Sequence, residues 1–513
     1  MAERTIIKNA HCMTMDHGSR AEWISIRGDR IEAIGNGDAY KALASAEDSV
    51  LDARGNTVLP GFIDNHFHLL TGALAKEEVD LSSCRSVEEV CETIRQSAGD
   101  REAIIGYGLS EDRMEERRYP TRVELDRCCD DHPVVIYSLD YHTLILNTYA
   151  ILYYKVPFAL PGVELDHKGM PTGIFRERAG GQLDYYICEH FTDGDYQEAI
   201  EKFLPDVFAS GITTTAAMEG RNCGNGNGRE SQCEFLVRRE AEYPLSMELF
   251  YQTTDIDLVL SHGLRRIGGA LYLDGTLGSW SAALTEDYAD RPGKRGRVFY
   301  TQEFLNDFVL HCCEQGLQIG FDAIGDVAID AALTAIESAS DKFDVRSMRH
   351  RIEHGDLLRT DQMRKAADLG VVFSVQPSYE AHWGYPGGMK ERRLGHRYGQ
   401  TLQLRKMLDS GILLCGGSDH PTTSLNPMAG VQAAVLHPVE ANRIKLEEAL
   451  ELYTIKGAYA LFLEEDRGSL TPGKRADVVI LDRDIETCPM ETLAQSKPVM
   501  TVKDGTILYN RGL

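Results

Sequence analysis

The chain has 513 residues, 43% hydrophobic and 26% charged, the balance of a globular protein that can bury a large core without disulfides. Its formal net charge of −25 disfavours nucleic acid, whose phosphates it would repel, and otherwise serves solubility. There is no run of about 18 apolar residues to span a membrane, no apolar stretch of a secretory leader within Met1–Arg20, and no C-x-x-C among 12 scattered cysteines, of which Cys128–Cys129 and Cys312–Cys313 are adjacent pairs. These features point to a reduced, cytoplasmic protein that does not enter membranes.

The N-terminus reads as short strands at Thr5–Ile7, Trp23–Arg27 and Arg30–Ile34, the last two joined by a Gly28–Asp29 turn. Apolar strands then alternate with helical stretches at Ile63–His68, Ile212–Met218, Ser246–Tyr251, Ala270–Leu273, Leu317–Phe321, Arg349–His354, Val371–Val375 and Ile412–Cys415. The intervening segments, such as Asp195–Ser210 and Ala328–Ser340, are long enough for helices. Eight such units are the count for a closed parallel barrel. A further apolar run, Val134–Leu139, falls within an insertion at about 78–197 that decorates the barrel mouth. The patch Asn222–Arg229 reads as a flexible loop, and no fixed-period repeat is present. The C-terminus returns to strands at Asp477–Leu481, Val499–Val502 and Thr506–Tyr509, with Asp504–Gly505 as a hairpin turn. The fold class expected is therefore α/β. A (β/α)8 barrel over 60–461 joins a small composite β-sandwich domain made from 1–59 and 462–513.

Three segments carry chemistry. In His66-Phe67-His68, at the end of the first barrel strand, two imidazoles share one face and can hold one metal ion, although such a pair also arises by chance. In Gly416-Gly417-Ser418-Asp419-His420, Asp419 ends the eighth strand over the mouth. There it can ligate a metal or accept a proton; the blander alternative is a turn or helix-capping aspartate. In His350-Arg351-Ile352-Glu353-His354-Gly355, His354 ends the sixth strand and faces the mouth, while His350 is structural.

The runs LPGFIDNHFH, RHRIEHGD, GGSDHP and GSLTPGKRADVVIL together resemble the amidohydrolase superfamily, and more closely its amidohydrolase-3, YtcJ-like branch. The segments LDYHTLILN, GMPTGIFRE, SGITTT, LDGTLGS, DAIGD and VVFSVQPS extend the resemblance over nearly the whole chain, in order. It implies a barrel, a composite β domain and a metal centre, with His66, His68, His354 and Asp419 on ligand or catalytic positions. Two departures stand out. Gly269–Gly275 lacks the lysine that relatives can carbamylate to bridge two metals, and Asp322 stands where relatives carry a histidine. A set of His66, His68, Asp322 and Asp419 remains chemically acceptable for one divalent ion. Zinc is the first candidate, with iron or manganese as alternatives.

The implied activity is hydrolysis of a C–N bond in a small molecule (an amide, cyclic amide, formamide or aminated heterocycle) through a metal-activated water. Asp419 would serve as the base, and His354 as a ligand to a second metal or a hydrogen-bond donor to the oxyanion. His142, Asn147, Trp280, Tyr379, His382 and Trp383 are candidates to contact substrate, and Glu177 and Asp326 to orient ligands, each against a plain packing or hydrogen-bonding role. Two other readings stay open: a binding or regulatory protein that has lost turnover, and a metal-dependent lyase or isomerase. A homodimer is left open as well.

Overall fold

Short apolar runs form eight parallel strands: β1 (Phe62–Phe67), β2 (Ile212–Glu219), β3 (Ser246–Tyr251), β4 (Arg266–Tyr272), β5 (Gln318–Ala323), β6 (Arg351–His354), β7 (Val372–Val375) and β8 (Leu413–Gly416). The computed structural model describes residues 4–512 apart from 100–101, 140, 158–159, 161, 177–178, 181–182, 184–186, 188–190 and 221–231. Glu177 and the Asn222–Arg229 patch therefore lie outside the described residues. Each strand pairs with the next in chain order, and nearly every residue in them is buried, as parallel strands covered on both faces require. Beyond the ends of β8 and β1, the His420 backbone pairs in parallel with Phe67, and Asp419 N–H donates to His66 C=O at 2.8 Å. The barrel thus closes on the two segments richest in candidate ligands. Gly417 makes that closure fit, because a Cβ there would stand 2.5 Å from the His66 nitrogen.

All eight strands fall where the sequence places them, and the differences at their ends have local causes. β4 starts at Arg266, ahead of the expected Ala270, because Gly268 and Gly269 form an irregular stretch with φ of +83° at each. β6 starts two residues late because Arg349, with φ +49°, ends a short helix over Val345–Met348. Helices at Asp193–Ala209 and Asp326–Ala339 match the two helical segments expected.

The chain forms two compact units. The first, drawn from Met1–His68, Leu204–Gly220 and Glu230–Leu513, holds the barrel together with two terminal sheets. One sheet is built from Arg4–Lys8, Trp23–Arg27, Arg30–Gly35 and Ser49–Asp52. The other mixes both ends of the chain, with Thr57–Pro60 antiparallel to Val478–Leu481 and then Pro498–Lys503 and Thr506–Asn510. Ile7, Ile24, Ile26, Val58, Val478, Ile480 and Met500 share one core beneath them.

The second unit is built on Leu69–Phe203. The sequence offers a single strand there, yet the unit contains a six-stranded mixed sheet. Its spatial order is Val163–Leu165, Pro171–Arg176, Thr143–Leu146, Val134–Ser138, Ile104–Leu109 and Val79–Asp80. Alternation along Val134–Ser138 sends Val134 and Ile136 into one core and Val135 and Tyr137 into another, so both faces are covered. No helix among the described residues is long and apolar enough to cross a membrane.

Two further histidines in the first unit, His350 and His437, are fully buried. His350 accepts from the Ile319 amide at 3.2 Å, and His437 accepts from the Val439 amide at 3.0 Å. Burial pushes both imidazoles down to about 4, helped at His437 by the Lys390 charge. Each stays neutral in the fold while the unfolded chain takes up a proton near pH ~6.5. The unfolded state therefore binds more protons between those values, and stability falls as pH drops through that window. The cost approaches roughly 2–3 kcal/mol per histidine at the acid end. The melting temperature is expected to decline on acidification from about pH 7 to 5, and a His350→Gln/His437→Asn variant should decline less steeply. Equal slopes in the two proteins would contradict this account.

Candidate metal centre

The alternation of β1 puts Asp64, His66 and His68 on one side of the strand and its extension. His66 Nε2 lies 3.4 Å and His68 Nε2 3.2 Å from Asp419 Oδ1, so the end of β8 meets both imidazoles. One donor atom each from His66, His354 and Asp419, all buried, lies within 4.8 Å of the others. His354, at the end of β6, has φ +68°. Asp419 likewise has φ +53°. Both are non-glycine residues in a conformation that side chains other than glycine seldom adopt, a strain typical of functional sites.

The rings are oriented by their other nitrogens. His66 Nδ1 is 2.9 Å from Glu353 Oε2, and His68 Nδ1 is 3.0 Å from the Met218 carbonyl. His354 Nε2 is 3.1 Å from Asp322 Oδ2, while its buried Nδ1 has no hydrogen-bond partner. Three imidazoles and a carboxylate meeting in a buried cluster, with one imidazole nitrogen left without a hydrogen-bond partner, are a donor set that suits a divalent metal. Tyr379 donates its phenol hydrogen to Asp419 Oδ2 and stacks on His354 with centroids 5.7 Å apart.

Electrostatics point the same way. Burial opposes ionisation of Asp419, but the charges and hydrogen bonds of His66 and His68 outweigh it and hold the carboxyl well below its usual range. Burial also opposes a charged His66; Asp419 and then Glu353 overcome this and push the imidazole up to about 10. His354 is raised because the charge and hydrogen bond of Asp322 outweigh its burial. The cluster concentrates carboxylates that draw positive charge onto the ligand rings.

The sequence-derived residues divide into those this cluster includes and those it does not. His66, His68, His354, Asp419, Asp322 and Tyr379 come together. Trp383 lies edge-on to Tyr379 at 4.6 Å, and His382 is 5.9 Å from Trp383. Trp280 is held by Arg393 and Arg291 over its ring, and its indole N–H donates to Asp290 at 3.0 Å. Asp326 touches no candidate ligand. Its carboxylate accepts from Thr285 N and Oγ1 and pairs with Arg359, so it secures the start of its helix. Asn147 and His142 belong to the second unit. Asn147 caps the helix Thr148–Tyr153: Oδ1 accepts from Val134 N and Ala150 N, and Nδ2 donates to Cys129 and His132 carbonyls, which satisfies its amide within that unit. Asp274, just beyond β4, accepts from the Ile324, Gly325 and Ala283 amides at 2.7–3.0 Å.

Sequence reasoning missed Glu353 and Arg351. Both are fully buried, and Arg351 Nε and Nη2 each donate to Glu353 at 2.9 Å, making a two-point ion pair inside the barrel. Charged residues two apart on a strand otherwise enclosed on both faces are the available signal, since burial of either alone is costly. Asp64 was missed too. Its carboxylate, pushed by burial up to about 6, accepts from Ser418 N at 2.9 Å and so ties β1 to the segment carrying Asp419.

Fold and site define an eight-stranded barrel with a buried histidine–carboxylate cluster where its first and last strands meet. The amidohydrolase family model matches residues 49–509, and the chain belongs to that family. It is an enzyme of the amidohydrolase type. It is 27% identical to an N-substituted formamide deformylase of Arthrobacter pascens over 99% of this chain and 98% of the relative. It is 26% identical to the putative amidohydrolase YtcJ of Bacillus subtilis, over 97% of each. Among solved structures, an uncharacterized metal-dependent hydrolase from Pyrococcus furiosus superposes with a TM-score of 0.74 at 28% identity, covering 94% of this chain and 99% of that one.

Glu353→Gln is expected to weaken divalent-metal binding about 10- to 100-fold, because His66 loses the carboxylate that orients it. It should also lower stability by roughly 3–5 kcal/mol, since Arg351 is left buried without its counter-charge. Chelator competition and thermal unfolding read the two effects separately, and unaltered affinity would remove Glu353 from the site.

Proposed function

We propose that the chain hydrolyses a C–N bond of a small molecule, with one divalent ion held by His66, His68, His354 and Asp419 and with Asp322 completing the site through His354. The observation that carries this reading is the convergence of His66, His354 and Asp419 within 4.8 Å, with His68 3.2 Å from the same carboxylate. A divalent cation bound there supplies Lewis acidity that acidifies water and polarises the scissile carbon. The residues of the chain do the rest. Asp419 presents Oδ1 to the imidazoles and keeps Oδ2 to accept the proton of the attacking water, which it then returns to the leaving nitrogen. His354, held through Nε2 by Asp322, ligates the ion.

N-substituted formamides head the substrate classes to be tried, because a relative matched over the full length carries that name; amides, cyclic amides and aminated heterocycles follow. Zinc heads the metals, with iron and manganese next. A single ion is favoured by β4, where no lysine faces the site and where a Cβ on Gly269 would already stand 2.2 Å from Met218 Sδ. A cytoplasmic location accords with the ten described cysteines, all of them free thiols.

Screening these classes for released amine, ammonia or formate is expected to give turnover that chelators abolish and added metal restores. Asp419→Asn keeps size and fold but removes the base, and should lower turnover by roughly 10²-fold or more. A variant with near-normal turnover would refute the assignment. Metal analysis should find one tightly held equivalent per chain, reduced in Asp322→Ala and retained in Asp322→His. Two equivalents that survive dialysis would overturn the single-ion reading.

A further inference from the structure

The two oxygens of Asp419 are treated differently by their surroundings. Oδ1 faces His66 Nε2 and His68 Nε2 at 3.4 and 3.2 Å, whereas Oδ2 accepts the hydrogen bond from the Tyr379 hydroxyl. A free carboxylate turns readily about its last torsion and offers either oxygen, or both, to a cation. Here one oxygen is held by a donor on a different element, the helix Ser378–Trp383 that follows β7.

That donor is itself fixed from several sides. The Tyr379 ring is buried, lies nearly parallel to His354 at 16° and 5.7 Å, and meets Trp383 edge-on at 4.6 Å. The next residue, Glu380, pairs with the buried Lys390 ammonium at 2.7 Å, and the same ammonium pairs at 2.7 Å with Asp356, two residues beyond His354. One cation therefore anchors both the segment carrying Tyr379 and the segment carrying His354. Ring and hydroxyl arrive at Asp419 on a rigid mount, which a side chain that merely fills space would not need.

We propose that Tyr379 is a positioning residue for Asp419: its hydroxyl pins Oδ2, so that Asp419 reaches a bound cation through Oδ1 alone and keeps Oδ2 for proton transfer. The inference rests on the metal-hydrolase reading above and adds to it the residue that keeps the aspartate from binding through both oxygens.

Tyr379→Phe tests it, since phenylalanine keeps the ring contacts with His354 and Trp383 and removes only the hydroxyl. The variant and the unaltered chain are loaded with Co²⁺, and visible absorption, metal content, melting temperature and steady-state rates are compared. With Oδ2 released, Asp419 can close on the ion with both oxygens, so the coordination number rises and the cobalt visible band loses intensity. On the substrate found by the screen, kcat should fall about tenfold or more with little change in KM, as expected when a reacting group is misplaced rather than binding lost. Metal content and melting temperature should match those of the unaltered chain. An identical cobalt spectrum together with unchanged kcat overturns the role of Tyr379 while leaving the metal reading intact. An unaltered chain that takes up no cobalt or zinc overturns both, and the two failures are told apart by that control.

Discussion

The seam between the first and eighth strands governs the rest of the site. Asp419 N–H bonds to His66 C=O, His68 N–H bonds to His420 C=O, and Ser418 N–H bonds to Asp64 Oδ1. Closing a barrel of eight strands needs a hydrogen-bonded join between its ends. In this chain the join is made by the very residues whose side chains form the cluster, so the backbone that completes the fold also sets the spacing between the His66–His68 pair and Asp419. Gly417 is required at this point, because any larger residue would be driven into the His66 backbone and part the strands.

Behind the seam lies a charged interior unusual for a barrel core. Arg351 and Glu353 are both fully buried, and Arg351 also donates to the Asn65 carbonyl at 2.5 Å. A buried pair of this kind contributes little net stability. Its value lies in where it places Glu353, against the far nitrogen of His66, with the arginine keeping the carboxylate ionised despite its burial. Removing water from such a chain of charges strengthens each link and fixes the ring that faces Asp419.

The barrel was legible because strands buried on both faces must be apolar almost throughout, and eight such runs spaced by helical stretches admit few other folds. The meeting of His66, His68, His354 and Asp419 was legible because side chains at the ends of barrel strands converge on the mouth. The six-stranded sheet of the second unit was not, since several of its strands have two to four residues and carry no pattern long enough to read. Asn147 and Asp326 stood open in sequence between a functional and a plain hydrogen-bonding role, since a capping side chain and a ligand are the same residue type and only their partners distinguish them. Arg351 and Glu353 escaped notice because charge on a strand ordinarily signals a solvated face. The Tyr379–Asp419 bond joins residues 40 apart, a relation that exists only once the seventh and eighth strands lie side by side.

Asp322 shows how one substitution can redirect a whole site. A histidine on β5 would offer a neutral nitrogen to a metal. The aspartate offers a charged acceptor, and β5 pairs with β6 in a register that sets Ala323 beside His354, so the carboxylate reaches across to His354 Nε2. Two rings in the cluster then each meet a carboxylate, His66 Nδ1 that of Glu353 and His354 Nε2 that of Asp322, which fixes both imidazoles in place. On the neighbouring β4, a Cβ at Gly268 would meet the Gly320 carbonyl and one at Gly269 the Met218 sulfur, so neither position takes a larger side chain without a shift, and Asp274 is occupied by three backbone amides. The two departures therefore work together. This strand pair offers neither the lysine nor the histidine that the resembling family uses for a bridged pair of ions, and this supports the single-ion proposal.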